Sequence, residues 1–163
     1  MHTHERHEQL LNTLFQCLNA HKSNDMANCY HEEASFEDIA FRLKGKKQIH
    51  AMWDMICSDN EKGKSNIKVE IKELSVNDSS GHAIVVEDYT YRDEGLDVHN
   101  KIVSKFEFRD GLIYKQVDGC DPVCWAHQAF GGIKGFIAGH IEVIRRFKAM
   151  RKLKAARPQA FLS

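Results

Sequence analysis

The spacing of apolar residues changes twice along the chain. Leu10, Leu11, Leu14, Phe15 and Leu18 recur at helical intervals and predict an amphipathic helix over roughly residues 4–20. A short second helix follows from about Asn24, with Ser23 or Asn24 as its cap and Met26, Cys29 and Tyr30 turned inward. Residues 34–38 read as a short strand, and Gly45 restarts a helix whose stripe is Ile49, Met52, Trp53 and Ile56. From Asn66 the period becomes two. Ile67, Val69 and Ile71 alternate with charge, then the phase slips before Leu74 and Val76, which predicts a bulge and a bent sheet. Asn77-Asp78-Ser79-Ser80-Gly81 turns the chain into a strand over residues 82–92, and Asp93-Glu94-Gly95 into another over 98–109. After Asp121-Pro122 a short helical stretch runs to Phe130. A final helix covers about 134–156, with Ile137, Ile141, Ile144, Phe147, Met150 and Leu153 as its stripe.

The last hairpin has two readings. A two-residue Asp110-Gly111 loop pairs Phe106 with Lys115 and Ser104 with Val117. A three-residue loop with Gly111 left-handed pairs Phe106 with Tyr114, Ser104 with Gln116 and Ile102 with Asp118. The second keeps aromatic against aromatic and charge against charge, so it is preferred. It sets Ser104, Gln116 and Asp118 on the face of Phe106 and Phe108, and three polar groups among apolar neighbours on a concave sheet suit a ligand pocket.

Composition narrows the class. The 163 residues suit one domain with its own core, and 42% apolar against 28% charged residues is a globular balance. Five cysteines (Cys17, Cys29, Cys57, Cys120, Cys124) without paired spacing predict free thiols in a reducing compartment. The charged start lacks a signal-peptide core and no apolar run spans a membrane, so a soluble cytoplasmic protein is expected. Charge is uneven. From residue 133 onward there are eight of the 23 Lys and Arg but one of the 23 acids, leaving residues 1–132 with seven acids in excess. The basic helix has three readings. The preferred one packs the stripe on the domain and leaves the charges solvated. The alternatives are contact with a partner subunit or the acidic body, and contact with an anionic membrane surface. Nucleic acid is disfavoured, because no aromatic residues interleave a basic strand face.

Particular residues resemble a known superfamily. Tyr30-His31-Glu32-Glu33-Ala34-Ser35-Phe36-Glu37-Asp38 resembles its strand signature ending in Glu-Asp. Leu43-Lys44-Gly45-Lys46-Lys47-Gln48-Ile49 resembles the glycine that opens its third helix, and Phe106-Glu107-Phe108-Arg109-Asp110-Gly111-Leu112-Ile113 its Asp-Gly hairpin. In order and spacing these are similar to the nuclear transport factor 2-like superfamily, which includes ketosteroid isomerases and SnoaL polyketide cyclases. The tail from Trp125 to Gly132 is similar to an extension in some bacterial SnoaL-like proteins. The resemblance implies an α+β cystatin-like cone: three N-terminal helices packed on a strongly curved antiparallel sheet, with a C-terminal amphipathic helix added. The cone domain is placed at residues 1–132 and the basic helical extension at 133–163. A homodimer is also implied, and Val103, Ile113 and Val117 interleaved with Lys105, Glu107 and Lys115 give the opposite sheet face the mixed character such an interface has.

In ketosteroid isomerases the carboxylate ending the first strand is the general base, a position that falls on Asp38. The family's Tyr donor falls on Leu14 and its protonated Asp on Ser104, so neither strong oxyanion donor is present. Asp38 also reads as a strand-end carboxylate held by backbone amides, and Asp118 as a turn residue before Gly119. As a pair, Asp38 and Asp118 could divide acid and base roles. Trp53, Tyr30, Phe36, Phe106 and Tyr114 are candidates for the apolar lining, with core packing as the alternative, most of all for Phe36 and Phe106. In the preferred reading Asp38 is the base and Asp118, Gln116 and Ser104 orient a polar substrate group, with Leu14 counted among the substrate-binding positions. His31, His50 and His99 have no zinc spacing; His2, His4 and His7 read as a frayed end; Cys120 and Cys124 as bystanders. The expected activity is proton-transfer isomerisation, cyclisation or dehydration of a hydrophobic carbonyl compound, without cofactor or metal. Alternatives are a non-catalytic ligand- or protein-binding module and an epoxide hydrolase-like enzyme. For the last, the Arg that often bridges the hydrolase carboxylates has no candidate in sequence, since Arg92 falls at a turn.

Overall fold

The computed structural model describes residues 3–61, 66–91, 95–132, 134, 135, 139 and 141–162. Its elements follow the sequence pattern closely: α1 (Thr3–Asn19), α2 (Ser23–Asn28), β1 (Tyr30–Glu37), β2 (Arg42–Lys44), α3 (Lys46–Glu61), β3 (Lys68–Val76), β4 (Ser80–Tyr91), β5 (Leu96–Arg109), β6 (Leu112–Gly119), α4 (Pro122–Phe130) and α5 (Glu142–Ala156), then a 3-10 turn (Pro158–Phe161). The three N-terminal helices are where the apolar periods put them. β2 was not expected; it pairs with β1 around the turn that carries Asp38. The helix at Ser23 has no side-chain cap, and the Ser23 hydroxyl donates instead to Asp54 of α3.

The six strands form one sheet in the order β2-β1-β6-β5-β4-β3. It is mixed rather than antiparallel throughout, because β1 runs parallel to β6 after the chain has crossed over through α3 and the β3–β5 meander. The bulge read from the phase slip falls between Ile71 and Glu73. Helices cover the concave face. Leu11, Leu14, Phe15 and Leu18 of α1 enter a core with Met52, Ala83, Val85 and Phe106. α1 lies so close to β4 that a Cβ on Gly81 would stand 3.0 Å from the Phe108 ring and 3.1 Å from Leu11. His7 is not frayed: it is buried, stacks on Phe108 at 4.0 Å and shares a hydrogen bond with the Asn77 carbonyl.

Neither proposed register of the last hairpin is found, because both its devices are used. The loop is the two-residue one, with Asp110 (φ 53°) and Gly111 (φ 76°) both left-handed between Arg109 and Leu112. A bulge beyond Phe108 then skips one residue, so Glu107 faces Lys115, Phe106 faces Gln116 and Ser104 faces Asp118. Ser104, Gln116 and Asp118 still share the inner face. The skip turns Ile113 inward to full burial, removing it from the outer face assigned to it. That outer face keeps Val103 and Val117 beside Lys101 and Lys105, with a Glu107–Lys115 ion pair of 3.0 Å. The stripe residue Ile137, the turn residues Asp93 and Glu94, and Arg92 lie outside the described residues, and the described final helix begins at Glu142.

Candidate functional site

Period-two alternation decides which polar groups reach the concave face. On β5 the inward positions are Val98, Asn100, Ile102, Ser104 and Phe106, all buried. On β4 the same face carries Ala83, Val85, Glu87 and Tyr89, with Glu87 opposite Asn100. β6 contributes Gln116 and Asp118, Asp38 directly follows β1, and Cys120 follows β6. Three carboxyls therefore face one region. Asp38, Glu87 and Asp118 are each closely surrounded by protein, while their residues remain partly exposed.

Burial raises the proton affinity of all three, since a charge loses its water there. Asp38 is pushed up to about 6, with the amides of Phe41 and Ala40 and the guanidiniums of Arg146 and Arg145 pulling the other way. Asp118 is pushed up to about 7, eased by Ser104 and Gln116 and raised further by Asp38. Glu87 is pushed up to about 8 by its burial, and further by the neighbouring Asp118 and Asp38. Three carboxyls of raised proton affinity that bear on one another favour retaining a proton among them near neutral pH, a setting that acid–base sites use.

A one-way hydrogen-bond chain fixes Asp118. Trp53 Nε1 donates to the Tyr30 hydroxyl (3.2 Å), which donates to Gln116 Oε1 (2.6 Å). Gln116 Nε2 then donates to both oxygens of Asp118 (3.0 and 2.9 Å). The Ser104 hydroxyl favours the charged form of Asp118 from across the strand pair, without a hydrogen bond of full geometry to any described group. Asp38 is held differently. Its Oδ1 accepts from the amides of Ala40 (2.7 Å) and Phe41 (2.5 Å), the backbone-satisfied arrangement that the sequence left open. Two arginines of α5 brace that turn: Arg145 Nε donates to the Ile39 carbonyl (2.7 Å) and Arg146 to the Phe41 carbonyl (3.0 Å).

The structure thus brings together Asp38, Asp118, Ser104, Gln116, Tyr30 and Trp53. Leu14 and Phe106 are core residues, the latter edge-on to Phe15. Tyr114 is not brought in: as the skipped residue of the hairpin it sits edge-on to His31 with the Arg109 guanidinium 3.5 Å over its ring. Sequence reasoning missed Glu87, Asn100 and Tyr89. Cys120, read as a bystander, lies near the carboxyls, and burial pushes its thiol up to about 11, with Asn100 pulling the other way. It also missed Arg145 and Arg146 as the cations bearing on Asp38. The end of the site near Tyr89 is closed by α4, where Trp125 Nε1 donates to the Tyr89 hydroxyl (2.6 Å) and packs edge-on with Tyr91 and Phe130. Two open surface depressions lie elsewhere, one beside α1 and α2 and one on the outer sheet face, and neither contains a carboxyl of this set. Among the described residues no group of three potential ligands is placed to hold a metal ion.

The family model of the SnoaL-like domain matches residues 11–116, about two thirds of the chain. The chain belongs to the SnoaL-like family. The match takes in Asp38, Glu87 and Gln116, while Asp118 and the bracing arginines follow it. Among curated proteins none matches the sequence significantly. Solved structures similar to this SnoaL-like protein include an LEH-like epoxide hydrolase of M. tuberculosis (TM-score 0.62, 15% identity, 86% of this chain and 96% of that one). A second, from Catenulispora acidiphila, has a ketosteroid isomerase-like fold and holds trimethylamine (0.64, 12%, 74% and 91%). A third is an epoxide hydrolase/cyclase-like enzyme of pyran ring formation in salinomycin (0.60, 13%, 71% and 91%). At such identities the likeness is one of fold.

Proposed function

We propose that this SnoaL-like protein is a general acid–base enzyme that moves a proton on a hydrophobic carbonyl compound, in an isomerisation, cyclisation or dehydration. The observation supporting this reading is the meeting of Asp38, Asp118 and Glu87, three partly exposed carboxyls whose proton affinities are raised by burial and whose charges bear on one another. Asp118, steadied by Gln116, and the charged Asp38 are the bases for a proton next to the carbonyl. Glu87 keeps its proton at neutral pH and donates a hydrogen bond to the oxygen on which charge develops. That supplies the donor missing at Leu14 and Ser104. Val98 and Ile102, on the same face, offer hydrocarbon contact.

Epoxide opening by water is the second reading, favoured by the same pairing of a protonated with an ionised carboxyl. Glu87 would protonate the oxirane oxygen while Asp118 takes a proton from the attacking water. Incubating the protein in D2O with cyclic enones, β-keto esters and terpene epoxides separates the two by NMR. The first reading expects deuterium at the α-carbon or a shifted double bond; the second expects a diol. In either case Asp118→Asn lowers the rate by roughly 10²–10⁴-fold. Tight binding of these compounds with no turnover by the wild type would make the protein a ligand-binding module instead.

A further inference from the structure

α5 has two unlike faces. Leu153 is fully buried, Ala149 and Met150 pack against the core, and Arg145 and Arg146 brace the Asp38 turn. The opposite face carries Val143 (78% exposed), Phe147 (66%) and Ile144 (40%), with Ile141 (41%) just ahead of the helix. Exposed large apolar side chains clustered on one helix are uncommon on a monomer's free surface. They are interleaved with Lys148, Arg151 and Lys154, whose 100° steps place them on the same side. None of the three takes part in an ion pair among the described residues; Lys154 lies 5.6 Å over the Phe161 ring. Leu162, 60% exposed, continues the apolar surface beyond the helix.

We propose that this outer face of α5 docks the protein on an anionic lipid bilayer, with Val143, Phe147 and Ile144 entering the interface and Lys148, Arg151 and Lys154 meeting lipid phosphates. The occupant is argued from charge and shape. A second copy meeting the same face across a two-fold axis would set these cations against one another. The face is also a convex helix rather than a groove, so it offers no slot for a peptide. A bilayer surface supplies both requirements at once, anionic headgroups for the basic side chains and acyl chains for the apolar ones. The polarity of the molecule agrees with this: the acidic excess lies in residues 1–132, and the basic excess beyond. Among the described residues no helix is long and apolar enough to cross a membrane, so the contact is peripheral.

The test is cosedimentation of the full chain with phosphatidylcholine vesicles, with and without about one third phosphatidylglycerol. Binding is expected to the anionic vesicles alone and to fall steeply with salt. Lys148→Glu with Arg151→Glu should weaken it by roughly 20-fold or more, at about fivefold per lost cation. Phe147→Ser should weaken it without changing the salt dependence, since it removes apolar burial only. Phe147→Trp should report insertion by a blue-shifted emission on binding. All of these positions are exposed, and unchanged thermal midpoints would show that the variants fold. Equal binding to neutral vesicles, or binding indifferent to Phe147→Ser and to the charge reversals, would overturn the proposal. So would absence of vesicle binding with a Phe147-dependent dimer in sedimentation, which would assign the face to a second copy.

Discussion

The amide of Gln116 has a fixed direction because both oxygens of the Asp118 carboxylate accept from its Nε2, which turns Oε1 to the Tyr30 hydroxyl. The Tyr30 hydroxyl accepts from the Trp53 indole N–H and donates its proton to Gln116 Oε1. Tyr30→Phe breaks the chain at its middle and strands two buried groups. It is expected to cost about 2 kcal/mol of stability by chemical denaturation and to lower turnover by roughly tenfold, as Gln116 loses its orientation. Tyr30, Trp53, Gln116 and Asp118 were all legible as site candidates, since each polar tip sits among apolar neighbours. Glu87 was not. In β4 the outward positions Ile84 and Val86 are as apolar as the inward Ala83 and Val85, so alternation gave no phase by which to see a carboxyl pointing in. Tyr114 failed for the opposite reason: its aromatic character fitted the inner face, but the bulge removed it from the register.

At the level of elements, the turn after β1 is shaped by α5, distant in sequence. Arg145 and Arg146 hold the carbonyls of Ile39 and Phe41, the neighbours of the amides that hold Asp38, and their charge keeps Asp38 from rising further. Arg145→Gln with Arg146→Gln should therefore raise the Asp38 titration and lower kcat/KM near pH 6 by roughly two- to tenfold, with recovery at higher pH. An unchanged pH profile with lower stability alone would make the arginines purely structural. The helix was legible from its apolar period, and so was its basic excess, but the inward face was not the expected stripe. Met150 and Leu153 pack inward, Ile141, Ile144 and Phe147 are exposed, and Arg145 and Arg146 turn in beside the Asp38 turn instead of staying solvated. The use of the helix as a brace was not legible, because a pattern of apolar and charged positions does not say which backbone carbonyls an arginine will reach. Sheet polarity was hidden likewise: local hairpin signals mark antiparallel neighbours, whereas the β1–β6 pair is parallel and joins distant segments.

Across the whole molecule, function costs stability in a pH-dependent way. Asp38, Asp118 and Glu87 bind protons more tightly folded than unfolded, so their contribution is full below the usual carboxylate range and is lost as pH rises through about 6, 7 and 8. The thermal midpoint is expected to fall by roughly 5–10 °C between about pH 6 and pH 9. Glu87→Gln should flatten the upper part of that fall and leave the protein more stable than wild type at alkaline pH. A site that keeps a proton at a cost to the fold fits a role in moving protons better than a role in packing. The most direct measurement is a carboxyl-carbon NMR titration of the protein with 13C-labelled Asp and Glu. The expected result is one resonance titrating near 8 that vanishes in Glu87→Gln and one near 7 that vanishes in Asp118→Asn. Side-chain carboxyls that all titrate below about 5 would contradict an acid–base site built on these residues.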